Sequence, residues 1–265
     1  MSSNPTQPQT QPQTPNQTQT LYKLRIVASK PKLRKLVEFA TIDGEIETMW
    51  LRYTPSHIFQ RQINDAQTIA VLAKYNRSFF TEYATSGEGS VKIPSTIDKV
   101  LNKYFKEVDS IEVAVGENSI VLKSRDEVYE GSLVEIDLPD ISIEFTESEY
   151  GFVPNLKVQG VYGIDSEEWS IKADEVKISY GDTLKLTVAL EEGGKYTRSV
   201  KVLDKRDVST SGVVVVDGKM LKSVIDLFSG PLYLIITDGP VIFTQKTTDY
   251  TISYILAPKI VEEAV

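Results

Sequence analysis

The chain has 265 residues, 41% of them apolar and 25% charged, with a formal net charge of −8 and a pI of about 4.9. That length and apolar content suit two domains of about 120 residues, each able to bury a core. With no cysteine and a single histidine, His57, disulfides, thiolate ligands and a histidine-rich metal site are excluded, and a Ser/His triad would have to use His57 itself.

In chain order, residues 2–20 contain only Ser, Asn, Pro, Thr and Gln, a composition with nothing apolar to offset ordering entropy, and 1–20 reads as a disordered tail. Residues 21–29 alternate like a strand, and 30–40 switch to helical spacing, with Leu33, Leu36, Val37 and Ala40 on one face. Strands follow at 47–54, 58–64 and 69–75, with His57 as an ordinary residue of the first turn. Pro94 at a helix start, with Ser95 or Thr96 as a cap, introduces a second helix carrying Ile97, Val100, Leu101, Tyr104 and Phe105. Strands resume at 111–115, 120–123 and 128–134. A Pro-containing stretch, 135–140, then separates a first unit (21–134) from a second (141–265).

The second unit is expected to open with a strand at 141–145 and a weaker helix over 153–162, beginning at Pro154, followed by strands at 169–173, 176–180, 184–190 and 196–203. Asp217 caps a helix whose Leu221, Val224, Ile225 and Phe228 repeat Ile97, Val100, Leu101 and Tyr104 at an offset of 124. Residues 235–238 and 241–243 repeat 111–115 and 120–122 at 121. The chain is thus a duplication of one α+β unit with two helices and several antiparallel strands.

Charge is divided unevenly. Over 30–40, 95–108, 152–162 and 217–228 there are ten Lys/Arg and five acids, a net of +5, which leaves −13 for everything else. Lys99, Lys103 and Lys106 share one face opposite Ile97, Val100 and Leu101. A positive helical surface inside an acidic molecule points to a polyanion held against the helices. No run is long and apolar enough for a membrane helix, and the N-terminus lacks a basic-then-apolar signal, so the expectation is an intracellular protein without membrane contact.

Four segments carry a family resemblance. These are 254–260, Tyr-Ile-Leu-Ala-Pro-Lys-Ile, followed by Val-Glu-Glu; Phe79-Phe80-Thr-Glu-Tyr83 with 91–101, Val-Lys-Ile-Pro-Ser-Thr-Ile-Asp-Lys-Val-Leu; and 64–69, Asn-Asp-Ala-Gln-Thr-Ile. With them, 21–265 resembles the DNA sliding clamps of the proliferating cell nuclear antigen (PCNA) type. Thr68 stands where that family often has histidine, and the connector looks shorter than usual. The resemblance implies an α+β clamp fold with helices lining an inner face, antiparallel sheets outside and three chains in a ring. Twelve helices spaced 8–10 Å apart enclose a lumen of roughly 25 Å, wide enough for duplex DNA.

It further implies a non-enzymatic processivity factor without cofactor or metal. Such a factor encircles duplex DNA without sequence preference and tethers a DNA polymerase, clamp loader and other PCNA-interacting-peptide proteins of replication and repair. It works with DNA, in cytoplasm or nucleoid of an archaeon or in a nucleus or replication site. Assigned to DNA are Lys32, Arg34, Lys35, Lys99, Lys103, Lys106, Lys157, Lys219 and Lys222. The partner-peptide pocket takes Thr68, Ile69, Leu138, Pro240, Ile255, Leu256 and Ala257. The subunit joints, homo- or heterotrimeric, take Val128, Tyr129 and Leu133 against Tyr196, Val200 and Val202. The competing readings are a β-rich structural or ligand-binding protein, a checkpoint-type clamp, a monomeric viral processivity factor, and a hydrolase using Asp165, Glu167 and Glu168 or Glu147 and Glu149.

Overall fold

The computed structural model describes residues 22–42, 44–133, 141–169, 172–190 and 193–259. The tail 1–20, Leu21, the connector 135–140 with Leu138, and 260–265 lie outside the described residues.

β1 (Leu24–Ser29) runs straight into α1 (Lys30–Thr41), then β2 (Thr48–Tyr53), β3 (His57–Ile63) and β4 (Ile69–Asn76). After a 3-10 turn at Arg77–Phe79 come β5 (Glu82–Thr85), β6 (Gly89–Pro94), α2 (Ile97–Tyr104), β7 (Ser110–Val115), β8 (Ser119–Lys123) and β9 (Val128–Ser132). A hairpin follows, β10 (Phe145–Ser148) with β11 (Gly151–Pro154). The order then repeats: β12 (Val158–Asp165), a 3-10 turn at Ser166–Trp169, β13 (Glu175–Tyr180), β14 (Leu184–Ala189), β15 (Lys195–Val200), β16 (Asp204–Arg206), β17 (Gly212–Asp217), α3 (Gly218–Leu227), β18 (Pro231–Thr237), β19 (Val241–Lys246) and β20 (Tyr250–Leu256).

The duplication is complete at the level of topology. The first unit makes a sheet β5-β1-β7-β8-β9 and a second, β4-β3-β2-β6; the second unit makes β16-β12-β18-β19-β20 and β15-β14-β13-β17. Antiparallel pairing of β20 with β4 fuses one sheet from each unit into nine strands. β9 and β15 are the counterparts of β20 and β4, and both end their sheets. A shared detail marks the register of the repeat. Tyr53 lies opposite Gly89 and Tyr180 opposite Gly212, and at each glycine a Cβ would come 2.4 Å from the tyrosine hydroxyl.

Two of the three helices begin at a capping side chain. Ser29 accepts from Lys32 N (3.4 Å) at the start of α1, which carries Pro31 in its first turn and buries Leu33, Leu36, Val37 and Ala40. At α3, Asp217 Oδ1 accepts from Lys219 N (2.9 Å) and Met220 N (3.0 Å). Neither Ser95 nor Thr96 provides the expected cap for α2: Pro94 closes β6 instead, and Thr96 makes no capping bond.

The expected helix over 153–162 is replaced by β11 and β12. Val158, Val161 and Tyr162 have helical spacing, but Gly160 and Gly163 penalise a helix, and Val158, Val161 and Ile164 favour an extended chain. Strand β12 is covered on both faces, with Tyr162 and Ile164 in the main core and Val161 in a second apolar cluster on the other side of its sheet. Nor is 141–145 a strand, since pairing begins only at Phe145. The described residues therefore contain three α-helices, and the place equivalent to α1 in the second unit is taken by the 3-10 turn at Ser166–Trp169.

Candidate DNA-facing helices and partner surfaces

The three helices stand side by side. α1 is in the middle, packed against α2 with Arg34 Nε 3.5 Å from Asp98, while Lys30, Arg34, Lys35 and Glu38 of α1 line one groove with Asp226 and Leu227 of α3. Because α1 belongs to the first unit and α3 to the second, the helical face runs across the junction. It holds eight Lys/Arg against three acids, a net of +5 within a chain of −8. The 3-10 turn beyond α3 is acidic instead, with Asp165 Oδ1 accepting from Glu167 N (3.1 Å) and Trp169 buried edge-on to Phe243.

The assigned basic residues divide by how far they are engaged within the chain. Lys99, Lys103 and Lys106 are exposed, and Lys99 has no ion-pair partner among the described residues. Lys103 lies 4.8 Å over the Tyr104 ring, and interaction with the Tyr104 hydroxyl raises its pKa. Lys35 sits over the rings of Phe39 (5.0 Å) and Tyr250 (5.3 Å). Lys32 pairs with Asp249 (3.2 Å), Arg34 with Glu38 (3.2 Å) and Lys219 with Asp174 (3.5 Å), and Lys222 bonds Asp226. Exposed pairs of this kind are weak and exchange readily for a phosphate. Lys157 is a correction. It lies in the loop before β12, where its carbonyl accepts from Asp238 N (3.0 Å), at the opposite end of that strand from the 3-10 turn and off the helical face.

On the outer side of the nine-stranded sheet lies an apolar cluster of Ala70, Leu72, Val161, Ile235, Ile242 and Ile255 with Ile141 and Phe152 of the hairpin segment. The hairpin is seated on it by several bonds. Phe152 N donates to Ser253 Oγ (3.3 Å), Lys246 Nζ to the Ser148 carbonyl (2.7 Å), Lys74 pairs with Glu147 (2.7 Å), and Arg61 donates to the carbonyls of Ile141 and Ile143. Gly151 has φ +114°, and a Cβ there would fall 1.9 Å from Thr244 Cγ2. The sequence reading missed this hairpin, although 144–152 carries its signal in a Ser-Glu-Tyr-Gly turn between alternating residues.

Of the pocket residues, Thr68 and Ala257 are exposed and linked by a bond from Ala257 N to the Thr68 carbonyl (3.0 Å), and Pro240 is half-buried. Thr68 is held by Asn64, whose Oδ1 accepts from Thr68 N (2.9 Å). Ile255 faces the outer cluster, whereas Ile69 and Leu256 pair across the strands and face inward, into the main core. At the free edges, Val128 (67% exposed) and Tyr196 (48%) are open, Tyr129 and Leu133 are half-buried, Val200 is buried and Val202 half-buried.

Three of the five nominated carboxylates are engaged in ion pairs: Glu168 with Arg198 (2.6 Å), Glu147 with Lys74, and Glu149 with Arg206 (3.2 Å). Among the described residues no three His, Asp or Glu come together in a group able to hold a metal, and no helix is long and apolar enough to cross a membrane. The His57 ring bonds Ser56 Oγ (2.8 Å), and burial, followed by the charge of Lys74, lowers its pKa.

No family model matches the sequence, and no curated protein matches it. Solved structures do. A structure of the C-terminal region of FEN-1 bound to A. fulgidus PCNA matches with a TM-score of 0.73 at 12% identity, over 91% of this chain and 100% of the other. PCNA from Thermococcus kodakaraensis gives 0.73 at 15% identity over 89% and 100%, and that from Entamoeba histolytica 0.71 at 13% over 90% and 100%. Two topologically equivalent α+β units, fused through one shared sheet and carrying their helices side by side, give this chain the PCNA-type sliding-clamp fold.

Proposed function

We propose that the protein is a DNA sliding clamp, a non-enzymatic ring that encircles duplex DNA and tethers a polymerase and other DNA enzymes to it. The observation that carries this reading is the segregation of charge: +5 on three adjoining helices of a chain whose remaining residues sum to −13. A surface of weakly paired lysines suits a ring that slides, because strong phosphate contacts would hold it in place. Three chains would supply nine α-helices and, at the remaining places, three copies of the 3-10 turn at Ser166–Trp169, still twelve positions around a lumen of roughly 25 Å. The DNA-facing set is then Lys32, Arg34, Lys35, Lys99, Lys103, Lys106, Lys219 and Lys222. A partner peptide would dock at Thr68, Pro240 and Ala257, beside the hairpin and above Ile255.

End-blocking tests encirclement. Linear duplex is incubated with the protein, and the ends are then closed with streptavidin on terminal biotin. A clamp that threads over open ends stays on the closed DNA and fails to load onto DNA blocked beforehand. Equal binding to DNA blocked before and after would reject encirclement. Converting Lys99, Lys103 and Lys106 together to Glu is expected to lower loading at least about tenfold.

A further inference from the structure

We infer that the outer face of the first unit carries a recognition site for an acidic peptide, built on Trp50 by Arg52 and Lys92. The site lies on the opposite side of the sheet from the helices and needs neither a ring nor DNA.

Strand alternation decides which side chains face out. Met49, Leu51 and Tyr53 of β2 and Val91 and Ile93 of β6 enter the main core with the helices, so Trp50, Arg52 and Lys92 stand on the other side. There Lys92 is directly opposite Trp50, and Arg52 is its next neighbour along β2 on that face. Both cations lie over the indole, the Arg52 guanidinium carbon 5.2 Å and Lys92 Nζ 5.7 Å from the ring centroid. Arg52 is exposed and Trp50 and Lys92 are half-buried. Neither cation's side chain has a hydrogen-bond or ion-pair partner among the described residues. Two positive charges are thus gathered on one ring without a counter-ion from those residues, and a carboxylate placed between them relieves their repulsion and gains charge-assisted contacts.

The rest of this face shows what it accepts. The outward positions of β2, β3, β4 and β6 hold four cations, Arg52, Arg61, Lys74 and Lys92, and no acid. The half under the hairpin is covered by an acidic and aromatic stretch of the chain itself, since residues 141–156 contain Glu144, Glu147 and Glu149 and no Lys or Arg. Lys74 pairs with Glu147 (2.7 Å), Arg61 donates to the carbonyls of Ile141 and Ile143, and Phe152 meets Phe59 edge-on at 5.8 Å. Trp50, Arg52 and Lys92 repeat that combination of ring and cations on β2 and β6, with no carboxylate of the described residues bonded to them. The molecule therefore displays, under its own hairpin, the kind of ligand that suits the uncovered half.

The duplication supplies a comparison. Counted from the matched tyrosines Tyr53 and Tyr180, Trp50 corresponds to Lys177 and Arg52 to Ser179; counted from the matched glycines Gly89 and Gly212, Lys92 corresponds to Val215. The second unit builds the same four-stranded arrangement with no ring and no flanking pair of cations, so the fold does not require them. Trp and Arg side by side have the composition of a binding hot spot, and clustered cations meeting an acidic motif are an established mode of peptide recognition. A single-stranded nucleic acid is the other polyanion such chemistry suits. Bases, however, need a bare ring to stack on, and here the cations already lie over Trp50. The observations favour carboxylates.

Fluorescence anisotropy with the full chain tests this, using the labelled peptide Gly-Glu-Glu-Phe-Glu-Glu-Gly, the same peptide with Gln for every Glu, and an oligothymidylate of about twelve nucleotides. The acidic peptide is expected to bind saturably, and the Gln peptide at least about tenfold more weakly. Arg52→Glu and Lys92→Glu should each weaken binding about tenfold, and Trp50→Ala about fivefold or more. Lys177→Glu makes the same charge change at the equivalent place in the second unit and should alter binding less than about twofold. Circular dichroism identical to the parent excludes misfolding as the cause of a loss, and because Arg52 is exposed its reversal tests the site even where Trp50→Ala disturbs the sheet. Absence of saturable binding, equal binding of the Gln peptide, or an equal loss with Lys177→Glu overturns the inference. Tighter binding of the oligothymidylate, lost with the same variants, would make the ligand a nucleic acid and overturn it. Binding that appears only with Glu135→Gln and Asp137→Asn would place the chain's own acids in the site, and this too overturns it.

Discussion

The two capped helices show how single side chains decide where the positive face begins. Asp217 accepts from two backbone amides at 2.9 and 3.0 Å and also lies 3.5 Å from Lys259 Nζ, whereas Ser29 accepts one amide at 3.4 Å. A carboxylate at a helix N-terminus satisfies otherwise orphaned donors and opposes the helix dipole. Asp217→Ala is therefore expected to cost about 1 kcal/mol or somewhat more in denaturant unfolding, and Ser29→Ala less, about 0.5 kcal/mol. A larger loss at Ser29 would show that the weak bond at α1 matters more than its length implies. The same residues explain why α3 was legible in the sequence in detail: an Asp followed by Leu221, Val224 and Ile225 states both cap and buried face. Thr96 looked like a cap and is none, because Pro94 is used by β6 and the chain enters α2 already in a helical conformation at Thr96 (φ −58°, ψ −12°).

At the level of elements, the duplicated helices and many of the strands were readable because each buries one periodic face, while β5, β6, β16 and β17 went unread, Trp169 ends a 3-10 turn where a strand over 169–173 was expected, and the segment 141–162 was misread. There the outer side of the sheet is apolar as well, so β12 is covered on both faces and loses the alternation that identifies a half-buried strand. The hairpin that supplies the cover is a short element whose stability comes from its seat, not from its own pairing. Gly151 is the tightest point of that seat: a Cβ meets Thr244, and the backbone is in a region that L side chains rarely adopt. Gly151→Ala is expected to lift the hairpin, at a cost of about 2–3 kcal/mol, and to expose Ile235, Ile242 and Ile255. Limited proteolysis would then cut at 147–150 while the fragments stay associated and helical. A hairpin as resistant as in the parent would mean that the outer cluster does not depend on it.

For the whole molecule, the proposed function requires an acidic chain to accommodate a polyanion, and the division of charge bears on that through salt. A protein bound by 6–10 direct phosphate contacts loses about 10³–10⁵-fold in affinity between 50 and 200 mM salt. A ring held on DNA by topology loses its grip only when a joint opens, so its lysines set how readily it loads more than how long it stays. On the proposed reading, the net negative charge of the rest of the chain works in the same direction, weakening attraction of DNA to surfaces away from the helical face. On end-blocked duplex, with protein kept above its assembly concentration, the retained fraction is expected to fall less than about tenfold over that salt range, while initial loading through open ends falls more steeply. On the proposed ring reading, escape at still higher salt should follow ring opening and therefore depend on protein concentration. Escape that tracks salt steeply at the outset and ignores protein concentration would instead describe a protein lying on the DNA surface, with no closed ring around it.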